Sequence, residues 1–503
     1  MCRYCCRLTV TARIGVAEVR SSIRFMLGNE QRELTDVDPT LTVLRYLREV
    51  EGRAGTKEGC AEGDCGACTV VMVELEDGKP VHRAINACIQ FLPTLDGKQI
   101  ITVEDLQLAD GSLHPVQKAM ADLNGSQCGY CTPGFVMSLY AHYQEESPTD
   151  RLSIDDALTG NLCRCTGYGP IVEAARTMAS VDNQAASPDT SNVEGILSDW
   201  ATGEGVALEY GERRYFAPAT VDELAEVYAA QPDACILAGG TDVGLWVTKQ
   251  HRTLDNVIYI GNVAELKELG EQDGVLRIGA GLTYEQALDA INARYPDFAE
   301  LIRRIGSRQI RNAGTIGGNV ANGSPIGDSP PALIVLGASV TLRKGDTRRS
   351  LPLEDFFIDY GKQDRQPGEF VEYLDLPLHD GDLIFGCYKI SKRFDQDISA
   401  VMAAFSMRLE GGVISDARVC YGGMAATPKR GSACEAALNG ANWSEATLEA
   451  ACAALAEDFT PLSDMRASAD YRLKVAQNLL RKYFIETTEP DVETRLVGVA
   501  AHG

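Results

Sequence analysis

Eight cysteines in the first third of this 503-residue chain fall into two sets of four, and their spacing constrains the fold more than any other feature. The first cysteine set has the spacing C-x4-C-x2-C and then one distant member, and it consists of Cys60, Cys65, Cys68 and Cys88. The second cysteine set joins a C-x2-C to a later C-x-C, and it consists of Cys128, Cys131, Cys163 and Cys165. Thiols clustered so tightly among glycines are typical of metal ligands.

The spacing of the first set is the established ligand pattern of plant-type [2Fe–2S] proteins, in which four thiolates hold the cluster. Gly59, Gly63 and Gly66 lie between the ligands, and glycine permits positive φ angles that point backbone N–H groups at sulfur. Structural zinc usually needs two compact cysteine pairs about 12–20 residues apart, which the first set lacks. The second set alone also fits zinc, but beside the first set a second [2Fe–2S] cluster is favoured.

The charge balance excludes several classes of partner. The chain has 71 acidic and 47 basic residues, a net charge of −24, which disfavours nucleic acid and leaves no polybasic patch for a membrane. No apolar run reaches the roughly 18 residues of a membrane span, and the first residues lack the apolar core of a signal peptide. We therefore expect a reducing, cytoplasmic compartment and read the other eight cysteines as thiols: Cys2, Cys5, Cys6, Cys235, Cys387, Cys420, Cys434 and Cys452.

Composition and periodicity divide the chain into six segments. Alternation predicts strands at 21–27, 69–75 and 80–86, and Thr40 is placed to cap a helix that runs to about Glu49. Alternation returns near 400–410 and 413–421, ahead of helical sequence at 443–457 and 463–483. The predicted segments are a tail (1–20), a β-grasp domain with the first cysteine set (21–105), a helical domain with the second (106–180), a linker (181–210), an α/β domain (211–383) and a C-terminal α+β domain (384–490).

Two glycine loops in the α/β domain are candidates for binding a nucleotide. The first is ILAGGTDV (236–243) and the second is GTIGGN (314–319). Successive backbone N–H groups in such turns can form an anion nest suited to a pyrophosphate. Neither loop has the G-x-G-x-x-G pattern of a Rossmann site, and each such loop taken alone is more often an ordinary turn than a nucleotide site.

At this point the motifs resemble the molybdenum hydroxylase family. The resemblance is carried by GCAEGDCGACTV (59–70), NAC (86–88), GSQCGYCTPG (125–134) and GNLCRCTGY (160–168), and it extends over about residues 21–485. AGGTDV, the run at 310–338 and YKISKRFDQDIS (388–399) are similar to the FAD domain of that family. The resemblance implies an α+β multidomain fold with a β-grasp [2Fe–2S] domain, a helical-bundle [2Fe–2S] domain, a two-subdomain α/β FAD domain of the vanillyl-alcohol-oxidase (PCMH) type and an α+β flavoprotein C-terminal domain.

The resemblance also implies roles for individual residues. Asp328 would accept a hydrogen bond from a flavin hydroxyl, Lys389 would lie close to the flavin, and Gln127 would bond the pterin of a partner subunit. Ile305 stands where relatives have an aromatic residue, and Val371 where they have leucine. The remaining FAD contacts would be Ile236, Leu237, Ala238, Gly239, Gly240, Thr241, Asp242, Val243, Thr315, Ile316, Gly317, Gly318 and Asn319. No acid–base catalytic residue is expected on this chain.

The activity implied by the resemblance is oxidoreduction across two subunits. Electrons from purine hydroxylation at a partner's molybdenum centre would pass through the helical-domain cluster, the plant-type cluster and FAD to NAD+. The molybdopterin-binding large subunit is expected as a separate chain, in a heterodimer or a dimer of heterodimers, because the sequence stops after the flavoprotein segment. A related hydroxylase of aldehydes or of another N-heterocycle, a stand-alone iron–sulfur flavoprotein reductase and a structural zinc protein remain alternatives.

Overall fold

The computed structural model describes residues 19–108, 110–145, 148–178, 180 and 191–495. The fold opens with a five-stranded sheet made of β1 (Ile23–Leu27), β2 (Glu30–Leu34), β3 (Thr69–Glu76), β4 (Lys79–Asn86) and β5 (Gln99–Ile101). Its order is β2-β1-β5-β3-β4, with β1 parallel to β5 and the other neighbours antiparallel. Asp77 and Gly78 both have positive φ in the β3–β4 turn, as a tight hairpin requires. The sheet is the predicted β-grasp arrangement.

Helix α1 (Val43–Arg45) continues as a π-helical turn at Tyr46–Val50. Its N-cap is Thr42, whose hydroxyl accepts a hydrogen bond from the Arg45 N–H at 3.3 Å. Thr40, which the sequence suggests as the cap, donates its hydroxyl to Asp38 instead. The predicted helix therefore exists, but it begins later than predicted.

Four helices build the helical domain: α2 (Pro115–Asp122), α3 (Thr132–Gln144), α4 (Arg151–Leu158) and α5 (Gly169–Met178). Pro115 occupies the first turn of α2, where its missing N–H costs nothing. Helix α3 is buried from Gly134 to Tyr143 because it packs between the other helices and the β3–β4 side of the sheet. Prolines at helix starts and an apolar central helix thus position the second cysteine set at helix ends.

The predicted tail and linker are partly folded. Arg20, assigned to the tail, forms a bridge with Val206 and an ion pair with Asp96 at 2.7 Å; residues 1–18 lie outside the described part of the chain. Within the linker, helix α6 (Ser191–Trp200) packs Val193 and Leu197 against Met26 of the first sheet, and residues 181–190 again lie outside the described residues.

The FAD domain has two subdomains. The first contains β6 (Val206–Tyr210), β7 (Arg213–Ala217), α7 (Val221–Ala230), β8 (Cys235–Leu237), α8 (Val243–Thr248) and β9 (Asn256–Tyr259). Its sheet order is β6-β7-β9-β8, and β9 is parallel to both of its neighbours. The inner face of this sheet shares one apolar core with the β-grasp domain. The two domains therefore pack as a continuous unit.

The second subdomain contains β10 (Leu269–Gln272), β11 (Val275–Gly279), α9 (Tyr284–Arg294), α10 (Pro296–Arg303), α11 (Arg308–Arg311), α12 (Ile316–Asn322), α13 (Ser329–Val335), β12 (Ser339–Lys344), β13 (Thr347–Pro352), α14 (Leu353–Phe356), β14 (Phe357–Asp359), β15 (Lys362–Gln363) and β16 (Phe370–Pro377). Its five-stranded sheet has the order β10-β11-β16-β12-β13. Thr283 and Gln286, which have the sequence spacing of a capping box, form that box at the start of α9.

The C-terminal domain is an antiparallel sheet covered by three helices. Its elements are β17 (Ile384–Ile390), β18 (Val401–Glu410), β19 (Val413–Gly422), β20 (Lys429–Arg430), α15 (Ser432–Leu438), α16 (Glu445–Asp458) and α17 (Ala469–Thr488). Alternation along β18 sends Val401 and Phe405 into the helical layer and Met402 and Ala404 towards α13 of the FAD domain. No helix among the described residues is long and apolar enough to cross a membrane.

Candidate functional site

The first cysteine set lies in the loop between α1 and β3, with its fourth member just after β4. Cys68 and Cys88 are buried, while Cys60 and Cys65 are half-buried. Gly63 and Gly66 adopt the positive φ angles predicted for this loop. Gly59 acts differently, because a Cβ there would lie 2.7 Å from the Cys65 sulfur. The glycines thus shape the loop and leave room for the thiols.

Backbone N–H groups point at sulfur in this loop, as predicted. The N–H groups of Glu62 and Asp64 each donate to the Cys60 sulfur at 3.4 Å. A hydrogen bond with Cys65, followed by one with Cys88, lowers the pKa of the Cys60 thiol. The same bonds to Cys60 raise the pKa of Cys65 and of Cys88. Such donors stabilise a thiolate and tune a cluster bound to it.

The second cysteine set gathers where three helices meet. Cys131 caps α3, Cys128 lies just before it, and Cys163 and Cys165 lie between α4 and α5. Burial and a hydrogen bond with Cys163 raise the pKa of Cys131 to about 12. A hydrogen bond with the exposed Cys128 raises the pKa of Cys165, which is also exposed. The thiols therefore pair two and two across the helix ends.

The donor chemistry of both sets fits [2Fe–2S] clusters. Each set brings together four thiols, the ligand complement that such a cluster requires. Among the described residues, no group of three or more His, Cys, Asp or Glu side chains is arranged to hold one single metal ion. Pairs of thiols, two for each iron, are the arrangement that a binuclear cluster uses.

The loops that hold the two cysteine sets are in direct contact. The N–H of Leu162, next to Cys163, donates to the Cys65 carbonyl at 3.0 Å. The side-chain amide of Asn161 donates to the Gly66 carbonyl at 3.1 Å. One hydrogen bond therefore connects a ligand residue of the first set to the neighbour of a ligand in the second.

The two glycine loops of the FAD domain also meet. In the first, Ile236 and Leu237 end β8, Ala238 to Asp242 form the turn, and Val243 begins α8. In the second, Thr315 caps α12 by accepting the Gly318 N–H at 2.9 Å, and Ile316, Gly317 and Asn319 lie within that helix. A Cβ at Gly239 would lie 1.7 Å from the Ala313 carbonyl oxygen, so the loops touch through glycine. We call these two adjoining loops the cradle.

The first glycine loop leads directly to the first cysteine set. Helix α8, which follows this loop, ends with the Thr248 hydroxyl donating to the Ala61 carbonyl at 2.8 Å. Lys249 donates to the Cys60 carbonyl at 3.1 Å. At its other end, Gly244 packs so closely on Ile89 that a Cβ would lie 2.6 Å from the Ile89 carbonyl. The cradle and the first cysteine set are therefore neighbours.

Asp328 and Lys389, singled out separately by the sequence, form a buried ion pair with each other. Asp328 also accepts the Ser399 hydroxyl at 2.5 Å, and Lys389 donates to that hydroxyl at 3.0 Å. The pair joins the start of α13 to β17 and to the end of the 390–399 loop. The sequence analysis includes Ser399 only as the last residue of the YKISKRFDQDIS run and gives it no role.

The remaining predicted residues lie in different environments. Ile305 is half-buried against the core of the second subdomain, and Val371 is inside that core on β16. Gln127 is exposed beside the exposed Cys128. Sequence reasoning also missed Gln309, whose amide contacts three other segments; its only signal is its place just before the second glycine loop.

Comparisons with known protein families cover most of the chain. Residues 26–91 match the 2Fe-2S iron-sulfur cluster binding domain and residues 102–176 match the [2Fe-2S] binding domain. Residues 208–379 match the FAD binding domain in molybdopterin dehydrogenase, and residues 386–487 match the CO dehydrogenase flavoprotein C-terminal domain. These matches confirm the predicted α+β multidomain fold with two [2Fe–2S] domains and one FAD-binding domain. They favour a cluster over zinc at the second set.

Individual relatives agree with the family matches. The chain is 32% identical to xanthine dehydrogenase of Emericella nidulans, across 95% of this chain and 40% of the relative. It is 31% identical to xanthine dehydrogenase 1 of Arabidopsis thaliana, across 90% of this chain and 39% of the relative. The chain thus spans about 40% of the length of these curated relatives.

Solved structures resemble about half of the chain. A carbon monoxide dehydrogenase chain from Hydrogenophaga pseudoflava has a TM-score of 0.51 and 28% identity, covering 53% of this chain and 94% of that chain. A chain of quinoline 2-oxidoreductase from Pseudomonas putida 86 has a TM-score of 0.50 and 25% identity, covering 54% and 94%. Together with the cofactor sites, these findings show that the chain belongs to the molybdenum hydroxylase family and resembles its iron–sulfur and FAD subunit.

Proposed function

We propose that this chain is the electron-transfer and FAD subunit of a xanthine dehydrogenase that works with a molybdopterin-binding partner and NAD+. The observation that carries the proposal is the contiguity of the three cofactor sites. The second cysteine set contacts the first through Leu162 and Cys65, and the first contacts helix α8 of the FAD cradle through Cys60 and Lys249. When bound, the clusters and FAD would carry electrons from the partner's molybdenum centre to NAD+.

The residues of the chain hold these groups and control their surroundings. We assign the eight cysteines of the two sets as cluster ligands, and the two glycine loops as the cradle of the FAD pyrophosphate and ribityl chain. Asp328 would accept a ribityl hydroxyl with the carboxylate lone pairs that Lys389 and Ser399 leave free. The FAD contacts and the domain boundaries predicted from the sequence are also part of this proposal.

The partner would meet the chain at the second cysteine set. Cys128 and Cys165 are exposed, and large exposed side chains surround them: Tyr130, Leu162 and Tyr168. An apolar rim around an exposed redox site is typical of a protein interface. Gln127 lies on this surface and would reach the pterin. Phe135 is fully buried and is therefore not part of it.

The purine substrate and NAD+ enter the proposal through the relatives that are named xanthine dehydrogenase. The free thiols of both cysteine sets suit a reducing, cytoplasmic compartment. A second candidate is the same subunit of another hydroxylase, which the likeness to carbon monoxide dehydrogenase and quinoline 2-oxidoreductase favours. The substrate would then be read on the partner subunit, with the same roles for this chain.

The experiment that tests the proposed function compares the chain with and without a molybdenum partner. We expect the purified chain to bind four irons, four labile sulfides and one FAD, and to oxidise NADH with an artificial dye. It should oxidise xanthine only after the partner is added. One cluster per fully reconstituted chain, or xanthine turnover by the chain alone, would contradict the proposal. Hydroxylation of a different heterocycle by the complex would favour the second candidate.

A further inference from the structure

We propose that Gln309 is a positioning residue that sets the spacing between the two cluster sites and their distance from the FAD cradle. The inference rests on the proposed electron-transfer function. Gln309 lies on α11 of the FAD domain, yet its side chain reaches into the contact between the other two domains and is only 1% exposed. Its place in the fold is therefore the meeting point of all three cofactor-binding domains.

The Gln309 amide contacts both neighbouring domains at once. Its Nε2 donates to Asn161 Oδ1 at 3.0 Å and to Ser138 Oγ at 3.1 Å in the helical domain, and it lies 3.3 Å from Thr69 Oγ1 in the β-grasp domain. Because a side-chain amide carries two N–H donors, these three acceptors share them. The amide thus bridges the β-grasp domain and the helical domain from the FAD domain.

Two of the three acceptors, Asn161 and Thr69, are tied to a cluster loop. Asn161 precedes Cys163 by two residues, and its own amide donates to the Gly66 carbonyl at 3.1 Å. Thr69 follows Cys68, and its hydroxyl donates to the same carbonyl at 2.7 Å. The Gly66 carbonyl, which lies between two ligands of the first set, is therefore held from both sides. Gln309 connects the two groups that hold it.

The three domains are tightly packed around Gln309. A Cβ at Gly160 would lie 1.9 Å from Gln309 Oε1, and a Cβ at Gly134 would lie 2.1 Å from the Gly66 carbonyl. Gln309 Oε1 is buried without a hydrogen-bond partner in the described protein. A buried oxygen left unpaired costs stability, so the hydrogen bonds that the Nε2 donates, and not the oxygen, hold the amide at this junction.

The same short segment extends from this junction to the flavin cradle. A Cβ at Gly63 of the first cluster loop would lie 3.1 Å from Ile310 Cδ1. Asn312 donates to the Ala84 carbonyl of β4 at 2.9 Å, and Ala313 contacts Gly239 of the first glycine loop. A shift of Gln309 would therefore change the position of both cluster loops relative to the cradle.

The test uses Gln309→Met, which keeps the length of the side chain and removes its donors. Chains loaded with both clusters and FAD are reduced, and the magnetic interaction between the two clusters is measured by EPR. We expect a weaker interaction and slower electron transfer between NADH and the helical-domain cluster than in the wild type, because electron transfer slows as the centres move apart. Ser138→Ala, which removes one acceptor, should give a smaller change in the same direction.

Gln99→Met is the matched control. Gln99 is 3% exposed, its amide donates to the Gly28 carbonyl at 2.9 Å, and its Oε1 also lacks a partner. This variant should lose stability but keep the wild-type EPR spectrum and rate. Two results would overturn the inference: an unchanged spectrum and rate in loaded Gln309→Met, or the same changes in Gln99→Met. If Gln309→Met does not fold, an unchanged Ser138→Ala would overturn it. A wild-type chain that holds only one cluster would overturn the proposed function instead.

Discussion

Replacing Cys163 with serine is expected to stop electron entry from a molybdenum partner while NADH oxidation at FAD continues. Cys163 pairs with Cys131 in the second set and accepts the Thr166 hydroxyl at 3.2 Å, so the change removes a ligand from the partner-facing site. Mutating the partners of metal ligands alone costs about 10–100-fold in affinity or activity, so losing a ligand should cost more than about 100-fold. The FAD cradle contacts the first set and not this one, so NADH-to-dye activity should change little.

The control for this variant is Cys452→Ser. Cys452 is buried between α16 and α17, contacts the Gln477 carbonyl at 3.5 Å and belongs to neither set. The Cys452→Ser protein should retain its xanthine-driven and NADH-driven activities within about twofold, because Cys452 contacts neither cysteine set nor the FAD cradle. Both activities are measured on the reconstituted complex by dye reduction. Loss of NADH-to-dye activity in Cys163→Ser, with xanthine-to-dye activity preserved, would contradict the proposed order of centres.

A second large effect is expected at the buried pair of Asp328 and Lys389. Asp328→Ala would leave the Lys389 ammonium, which is 4% exposed, without its counter-ion. Breaking one partner of a buried ion pair typically costs about 3–5 kcal/mol of unfolding free energy. The variant should also lose a charge-assisted hydrogen bond to FAD, which raises the dissociation constant by roughly ten- to a hundredfold.

A double variant separates the two effects. Asp328→Ala combined with Lys389→Met removes both charges, so much of the unfolding free energy should return while FAD binding stays weak. Ser399→Ala, which removes a neutral member of the same group, should cost only about 1 kcal/mol. Stability is measured by urea unfolding without FAD, and affinity by flavin fluorescence. Wild-type FAD affinity in folded Asp328→Ala would show that Asp328 only supports the start of α13.

Local patterns in the sequence predicted much of this structure. Strand alternation and turn residues located β1, β3, β4, β18 and β19, because a strand with one buried face repeats every two residues. The start of α9 at Thr283 can be predicted because a capping box depends on only four consecutive residues. The interval 181–210 looked like a linker because it is polar, but Val193 and Leu197 of α6 find an apolar partner in Met26, far away in sequence. The composition of a segment cannot indicate a packing contact with a residue so far away in the sequence.

The contacts that organise the site could not be predicted in the same way. Asp328 and Lys389 were both singled out, but their pairing spans 61 residues and depends on how β17 packs against α13. Gln309 bonds Thr69 across 240 residues, and no local pattern in either segment indicates that contact. Cysteine spacing identifies a ligand set because its members cluster in short segments, such as the loop that holds Cys60, Cys65 and Cys68. The contact between the two sets depends on domain packing and needs the structure.

The central claim, that the two cluster sites lie in series with FAD, is tested most directly on this chain alone. NADH is mixed anaerobically with wild-type protein and with Cys60→Ser protein that keeps FAD and the helical-domain cluster, and each cluster is followed by freeze-quench EPR. The account predicts that NADH reduces both clusters in the wild type. In Cys60→Ser it predicts normal flavin reduction but much slower reduction of the helical-domain cluster, because the centre between the two is lost. Reduction of that cluster at the wild-type rate would contradict the series arrangement.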